Sequence, residues 1–229
     1  MKGKLIIIDG SDGSGKATQS LTLFARLQTE GFKVKKVEYP DYNSDSSALI
    51  KMYLNGDFGS NPEDVNPYVA STFYAVDRYA SYKMKWKDFY DEGGIILADR
   101  YTTSNMVHQA SKIKSQEEKE RFLNWLWDYE FNIFGLPIPD KVIFLDVPPE
   151  YSRKLMEERL NKFTGEEKKD IHERNSKFLE ESYYNAKWIA KKYNWVNIDC
   201  VENGSMLSID EIHKKIYDNI VLTLRRDKK

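Results

Sequence analysis

The sequence predicts an α/β fold: a three-layer α/β/α sandwich around a central, mostly parallel five-stranded sheet, in a single domain over 1–229. Three observations carry this expectation. Four-residue apolar runs at 5–8, 95–98 and 142–145 read as strands buried on both faces, as in parallel sheets. Stretches with helical spacing of apolar residues alternate with them, the first marked by Leu21, Phe24, Ala25 and Leu27. Polar residues close the strands, from Asp9 to Lys16 and at Tyr39-Pro40, Asp99-Arg100, Asp146 and Asp199. These should face one crevice at the carboxyl ends of the strands, where such sheets hold ligands.

The elements follow in order. Gly31 stops the first helix, and 33–39 alternates like a second strand that Pro40 ends. Tyr39-Pro40 is a fixed bend whose isomer the sequence leaves open. Residues 41–47 read as loop, 48–54 as a short helix closed by Asn55-Gly56, and 57–67 as a loop with two prolines. A long helical stretch covers 67–90 and breaks at Gly93-Gly94, before the strand at 95–98. A helix follows from about Ser104, a charged connector covers 112–119, and an aromatic-rich helix covers 120–134. A rigid turn at 135–140 leads into the strand at 142–145, closed by Asp146-Val147-Pro148-Pro149. Helices at 150–160, 174–193 and 209–224 flank a charged segment at 161–173 and a last strand at 195–199.

Charged residues make up 31% of the 229 and nearly cancel, to a net charge of -1. Nothing global points to a nucleic-acid duplex or an anionic membrane, so a phosphate site must be local. Cys200 is the only cysteine, which excludes an internal disulfide and fits a reducing cytoplasm. No apolar run is long enough for a signal peptide or a membrane span. A cytoplasmic protein with no nucleic-acid or membrane partner is expected.

The first turn carries the most chemistry. Asp9-Gly10-Ser11-Asp12-Gly13-Ser14-Gly15-Lys16-Ala17-Thr18-Gln19 takes a buried strand into a helix. Glycines let the backbone curl with N–H groups aimed inward, the helix N-terminus faces the same anion, and Lys16 adds a full charge. The spacing Gly10-x4-Gly15-Lys16 fits a phosphate-binding loop, the P-loop, except that Ala17 stands where a hydroxyl residue is usual. A nucleoside triphosphate is the expected ligand. Asp99, ending a buried strand, can hold Mg²⁺ or its waters, and Arg100 can grip a phosphate bidentately. Tyr74 and Arg78 share a helix face, where a ring to stack on a base and an Arg to bond its edge would make a nucleobase pocket. Phe73 is the alternative stacking ring.

These residues together resemble the thymidylate (dTMP) kinase family. The likeness lies in Asp9-Gly10-x-Asp12-Gly13-x-Gly15-Lys16-x-Thr18-Gln19 and in Asp99-Arg100-Tyr101-x-x-Ser104-Asn105. It continues in Leu136-Pro137-x-Pro139-Asp140, followed by Leu145-Asp146-Val147-Pro148-Pro149-Glu150. The resemblance implies ATP- and Mg²⁺-dependent conversion of dTMP to dTDP by a homodimer. It implies catalytic roles for Asp12, Lys16, Arg100 and Arg159. ATP would lie on Gly10, Ser11, Asp12, Gly13, Ser14, Gly15, Lys16, Ala17 and Thr18, with the metal on Asp99. The acceptor nucleotide would meet Asp12, Tyr39, Phe73, Tyr74, Arg78, Arg100, Ser104, Asn105, His108 and Gln109. Among these, Arg100 holds the acceptor phosphate, Asp12 faces the sugar and reacting phosphate, and Ser104 and Asn105 reach the pairing edge of the base. His108 lies beside the deoxyribose and is not assigned as a general base. Residues from about 153 to 174 would form a lid whose cation substitutes for the basic residue missing at Gly13. Arg159 is the first choice and Lys162 the second, followed by Arg153, Lys168 and Lys169.

Two positions depart from the family pattern. Ala17 leaves the metal to phosphate oxygens, waters and Asp99. Asp41-Tyr42 follows Tyr39-Pro40 where the family often has an Arg, which shifts the acceptor's grip toward Arg100. Two other functions stay open at this level: a deoxynucleoside kinase, which needs a base near the 5′-hydroxyl, and a catalytically weak nucleotide-binding regulator.

Overall fold

Alternation along the strands builds the layers. The computed structural model describes residues 2–162 and 170–225, with side chains described for 2–157 and 170–224. Among them, β1 (Lys4–Gly10), β2 (Val34–Glu38), β3 (Ile95–Asp99), β4 (Lys141–Asp146) and β5 (Val196–Asp199) form one parallel sheet in the order β2-β3-β1-β4-β5. β1 lies in the middle, so Leu5, Ile6, Ile7 and Ile8 are all fully buried. Successive residues face opposite layers. Ile6 and Ile8 join Leu97, Ile143 and Leu145 beneath α1 (Lys16–Thr29) and α9 (Ile209–Arg225), whose Leu23, Leu27, Ile216 and Ile220 complete that cluster. Leu5 and Ile7 join Ile96, Ala98, Trp86, Tyr101 and Phe131 on the other face.

The second face also carries α3 (Pro67–Ser81), α5 (Thr102–Ser111), α6 (Gln116–Trp127) and α8 (Ser176–Lys192). Every residue of α5 is buried. Asn185 of α8 donates from Nδ2 to the carbonyls of Met106 (3.0 Å) and Val107 (2.7 Å), tying the two helices together. No described helix is long and apolar enough to cross a membrane.

The parallel five-stranded sheet and its flanking helices match the expected class, and local details differ. α5 starts at Thr102, ahead of Ser104. α6 begins at Gln116, where Ser115 Oγ accepts the Glu118 N–H (3.4 Å), so half of the expected charged connector is helix. The stretches expected as continuous helices widen into π turns at Tyr82–Trp86 and Asp128–Ile133. A small hairpin of β6 (Val201–Glu202) and β7 (Ser205–Met206) follows β5. Its Asn203-Gly204 turn has φ of 52° and 74°, the backbone that a two-residue hairpin turn requires.

Phe122 of α6 is fully buried, edge-on to Tyr68 at 5.1 Å. Phe122→Ala is expected to cost about 3–5 kcal/mol, read as a lower urea midpoint at an unchanged slope. A loss below about 1 kcal/mol would mean that the helices close over the cavity.

Candidate active site

β1 delivers the glycine-rich turn to the centre of the sheet. Gly13 and Gly15 take φ of 75° and 83°, and the Ser14 N–H closes on the Ser11 carbonyl at 3.2 Å, so the loop curls round the start of α1. Lys16 Nζ reaches back to the carbonyls of Gly10 (3.0 Å) and Ser11 (2.6 Å). Burial, reinforced by Arg100, pushes its ammonium down to about 8. Ser11 Oγ and Ser14 Oγ are buried without partners, and phosphate oxygens would supply them. Gly13 cannot carry a cation for a steric reason: a Cβ there would lie 2.5 Å from the Ser152 carbonyl of α7 (Pro149–Lys162).

The alternation that builds the core also aims the two strand-end carboxylates. Asp9 lies on the side of Leu5 and Ile7 and meets α5. It accepts from the Gly10 N–H (2.8 Å), the Thr103 hydroxyl and the Ser104 hydroxyl, which is 3.0 Å from each oxygen. Asp99 lies on the side of Ile95 and Leu97 and meets α1, where Ser20 Oγ is 3.4 Å from Oδ2. Ser20 Oγ is also 3.1 Å from the Ala17 carbonyl, and its single proton is shared between the two acceptors. Ala17 and Thr18 are exposed, so the α1 hydroxyl that meets Asp99 is that of Ser20.

Beside the loop lies a cleft of about 530 Å³, its open mouth included. Every residue expected at the acceptor site lines it except Phe73. Phe73 packs on Phe58, with ring centroids 5.7 Å apart, so Tyr74 is the ring that faces the cleft. Arg100 links cleft and loop. It leaves β3 with φ of 65°, a left-handed conformation uncommon for a residue with a side chain. Its guanidinium pairs with Asp12 and reaches Ser104 Oγ (3.4 Å) and His108 Nε2 (3.3 Å). Burial alone would raise the Asp12 carboxyl, but the Arg100 guanidinium, with smaller contributions from His108, Lys16 and His172, outweighs it and holds the group well below the usual carboxylate range. Asp41 pairs with Lys85 and its N–H is held by Asp77 Oδ2 (2.9 Å), while Tyr42 lines the cleft. The Tyr39–Pro40 peptide is cis. Tyr39 is anchored through its hydroxyl, which accepts from Trp86 Nε1 (2.9 Å) and donates to Ser81 Oγ (3.2 Å).

The far end of the cleft holds complementary polar groups. Arg78 is fixed by Glu130, with Nε 2.7 Å and Nη2 2.5 Å from its two oxygens, and Nη1 lies 3.5 Å from the Tyr101 carbonyl. Asn105 donates from Nδ2 to the Ser71 carbonyl (3.4 Å). A backbone carbonyl can only accept, so this leaves Asn105 Oδ1 as an acceptor. His108 Nε2 accepts from Arg100, so the ring is neutral with its proton on Nδ1; burial pushes it down to about 4. His108 stacks on His172 at 6.0 Å, and His172 Nε2 lies 2.9 Å from the Tyr53 hydroxyl, which also accepts from Lys112 Nζ (2.9 Å).

Several residues of this site were not anticipated. Glu130 was one, although a carboxylate in line with the buried Phe122 and Leu126, each four apart, was a readable sign. Asp170 and His172 reach the cleft only because their segment docks on α2 (Ala48–Asn55): the Ile171 N–H bonds the Leu54 carbonyl (3.1 Å). The side chains of Arg159 and Lys162, and Lys168 and Lys169 entirely, lie outside the described residues. Arg153 is exposed and donates to the Pro149 carbonyl at 3.3 Å. No group of three or more His, Cys, Asp or Glu among the described residues could hold a metal by itself.

The buried histidines set a pH dependence. His108 is held at about 4 against an ordinary 6.5, and burial lowers His172 well below its ordinary value. The unfolded chain therefore takes protons that the folded chain refuses, so stability falls as pH drops from about 6.5 toward 4. Melting temperature against pH should be shallower in this window for His108→Gln/His172→Gln than for the parent. Parallel slopes would contradict the assignment.

The profile of the thymidylate kinase family matches residues 8–216. Thymidylate kinase of Plasmodium falciparum is 27% identical over 222 residues, covering 96% of this chain and 90% of that protein. Thymidylate kinase of Schizosaccharomyces pombe is 25% identical over 217 residues, covering 95% and 91%. A probable thymidylate kinase of Pyrococcus horikoshii is 28% identical over 152 residues, covering 66% and 69%. With Asp12 of the loop, Arg100 at the end of β3 and the polar side chains of α3 and α5 gathered round one cleft, the chain belongs to the thymidylate kinase family.

Proposed function

We propose that this protein is a cytoplasmic, homodimeric thymidylate kinase that transfers the γ-phosphoryl group of ATP to dTMP, giving dTDP and ADP. The observation that carries the reading is the Arg100–Asp12 pair at the junction of the phosphate loop and the acceptor cleft. A nucleotide switch has no use for a second cleft with a phosphate-binding Arg at one end and a base-edge pair at the other. A nucleoside kinase would need a base near the 5′-hydroxyl, and Asp12, paired and held strongly acidic, is a poor one.

Phosphoryl transfer is mostly positioning and charge stabilisation. Lys16 exchanges its loop carbonyls for the outer phosphates of ATP. Arg100 turns its donors to the acceptor phosphate and holds one of its oxygens in line with the γ-phosphorus. The new P–O bond forms as the bond to the β–γ bridging oxygen breaks, and ADP leaves. The acceptor phosphate is already anionic, so no side chain has to remove a proton first, and neutral His108 serves in packing and in holding Arg100. The donors near the loop are hard oxygens, Asp99 and the Ser20 hydroxyl, which suits Mg²⁺ held mainly by phosphate oxygens and water. The ion would neutralise charge on the phosphates when bound. α7, packed on Gly13, begins the lid that excludes water, with Arg159 the cation assigned to it. Val69, Val76 and Tyr79 are exposed along one face of α3, and this apolar face supports the homodimer.

In a coupled ADP-release assay across dTMP, dUMP, dCMP, dGMP and UMP, dTMP should give the highest kcat/KM and thymidine should give no turnover. If no monophosphate stimulates ATP turnover, the proposal fails. Arg100→Ala should lower kcat/KM for dTMP by about a hundredfold or more, in line with removal of a donor to a reacting oxyanion. Ala17→Ser should leave Mg²⁺ dependence and turnover roughly unchanged, because the oxygens assigned to the metal lie on Asp99 and Ser20. A large gain in Mg²⁺ affinity would show that Ala17 is a real deficit.

A further inference from the structure

Glu130 is fully buried in the π turn after α6, and nothing in the transfer chemistry uses it. A buried carboxylate is costly unless all of it is paired. Here Oε1 accepts from Arg78 Nη2 (2.5 Å), and Oε2 accepts from Arg78 Nε (2.7 Å) and from Thr102 Oγ1 (2.6 Å). Three elements therefore converge on one side chain: α3 through Arg78, the start of α5 through Thr102, and the π turn itself.

We propose that Glu130 is a positioning residue that sets selectivity for a 4-oxo over a 4-amino pyrimidine by clamping Arg78. The inference rests on the reading of Arg78 as the donor to the base edge. A guanidinium has five N–H donors and no acceptor. The two-point contact with Glu130 consumes the Nε–H and one Nη2–H and fixes both the plane and the rotation of the group. One Nη1 donor is turned toward the Tyr101 carbonyl, at the long distance of 3.5 Å. What remains for the cleft is a rigid set of donors on a side chain that is itself only 1% exposed.

A ring carbonyl, as in thymine or uracil, accepts from such donors. The 4-amino group of cytosine presents hydrogen to hydrogen and loses the contact, leaving the Arg78 donors unpaired in a dry site. Asn105 Oδ1 completes the discrimination, because it suits a ring N–H and not the unprotonated ring nitrogen of cytosine. The clamp serves both halves of this reading. Thr102 begins the helix that carries Asn105, so one carboxylate holds the donor and the start of the acceptor's helix in register. An unclamped Arg78 could swing away from an amino group and tolerate it.

The test uses Glu130→Gln and Glu130→Asp, each checked for folding by thermal melting and then titrated and assayed with dTMP and dCMP. Glu130→Gln puts an N–H₂ against an Arg78 donor and should raise Kd and KM for dTMP about ten- to a hundredfold. The ratio of kcat/KM for dTMP over dCMP should narrow about tenfold, with KM for ATP unchanged and kcat for dTMP within about threefold. Glu130→Asp keeps the charge, retracts the carboxylate by one methylene and should move the same quantities by less; it decides the matter if the Gln variant does not fold. A purely structural role would lower the melting temperature and leave the selectivity ratio in place. Parent-like dTMP affinity and ratio in a folded variant would overturn the proposal. Arg78→Ala separates the two levels: if it too keeps dTMP affinity, the base-edge reading of Arg78 fails, and if it alone loses affinity, only the clamp fails.

Discussion

The pairing of Arg100 with Asp12 is the contact on which the site depends, and the sheet register makes it possible. β1 and β3 are neighbours with Ile8 opposite Asp99, and the Arg100 N–H extends the ladder to the Ile8 carbonyl at 3.1 Å. The loop leaving β1 and the turn leaving β3 must then emerge side by side. The left-handed backbone at Arg100 turns its side chain from the sheet edge toward the loop. Paired this way, Arg100 has a carboxylate partner in the same place where an acceptor phosphate would compete for it. In the proposed reaction donor and acceptor phosphates would share one patch of positive charge, while Asp12 keeps the free protein from burying that charge unpaired.

The second requirement is a platform stiff enough to hold polar side chains in place. α5 is buried along its whole length and yet carries Thr102, Thr103, Ser104, Asn105, His108 and Gln109. Such a helix needs most of its polar atoms met from outside. Asp9, Glu130 and Arg100 do so on the cleft side and Asn185 caps two backbone carbonyls on the other, while His108 Nδ1 and Gln109 Oε1 are left without a partner among the described residues. Packing and function therefore draw on the same residues. Arg78 and Tyr39, which face the cleft, are braced by Glu130 and by Trp86 and Ser81, groups outside its lining, which is how a site stays preorganised.

How much of this could be read in the sequence depended on the range of the contact that decides each residue. The placement of Asp12, Arg100, Ser104 and Asn105 on the cleft and of Lys16 in the loop was legible because local motifs put them at strand ends or one turn beyond. The sheet was legible because central parallel strands are apolar on both sides. Phe73 and Tyr74 were not separable, since both are aromatic and adjacent on a half-buried helix, and only the packing of Phe73 on Phe58 decides between them. The π turns leave no mark in a periodicity of 3.6. Asn203-Gly204 does leave one, as a hairpin turn pair. Asp170 and His172 enter the cleft through a long-range docking on α2 that no local pattern encodes.

If the Arg100–Asp12 junction organises the site, a bound acceptor must engage it. A crystal structure of the protein with dTMP is the most direct measurement. The 5′-phosphate should lie against Arg100, with Asp12 drawn off toward the sugar and phosphate, and the thymine ring should lie on Tyr74 with its edge at Arg78 and Asn105. A nucleotide whose phosphate binds away from Arg100, with the Arg100–Asp12 pair intact, would contradict it.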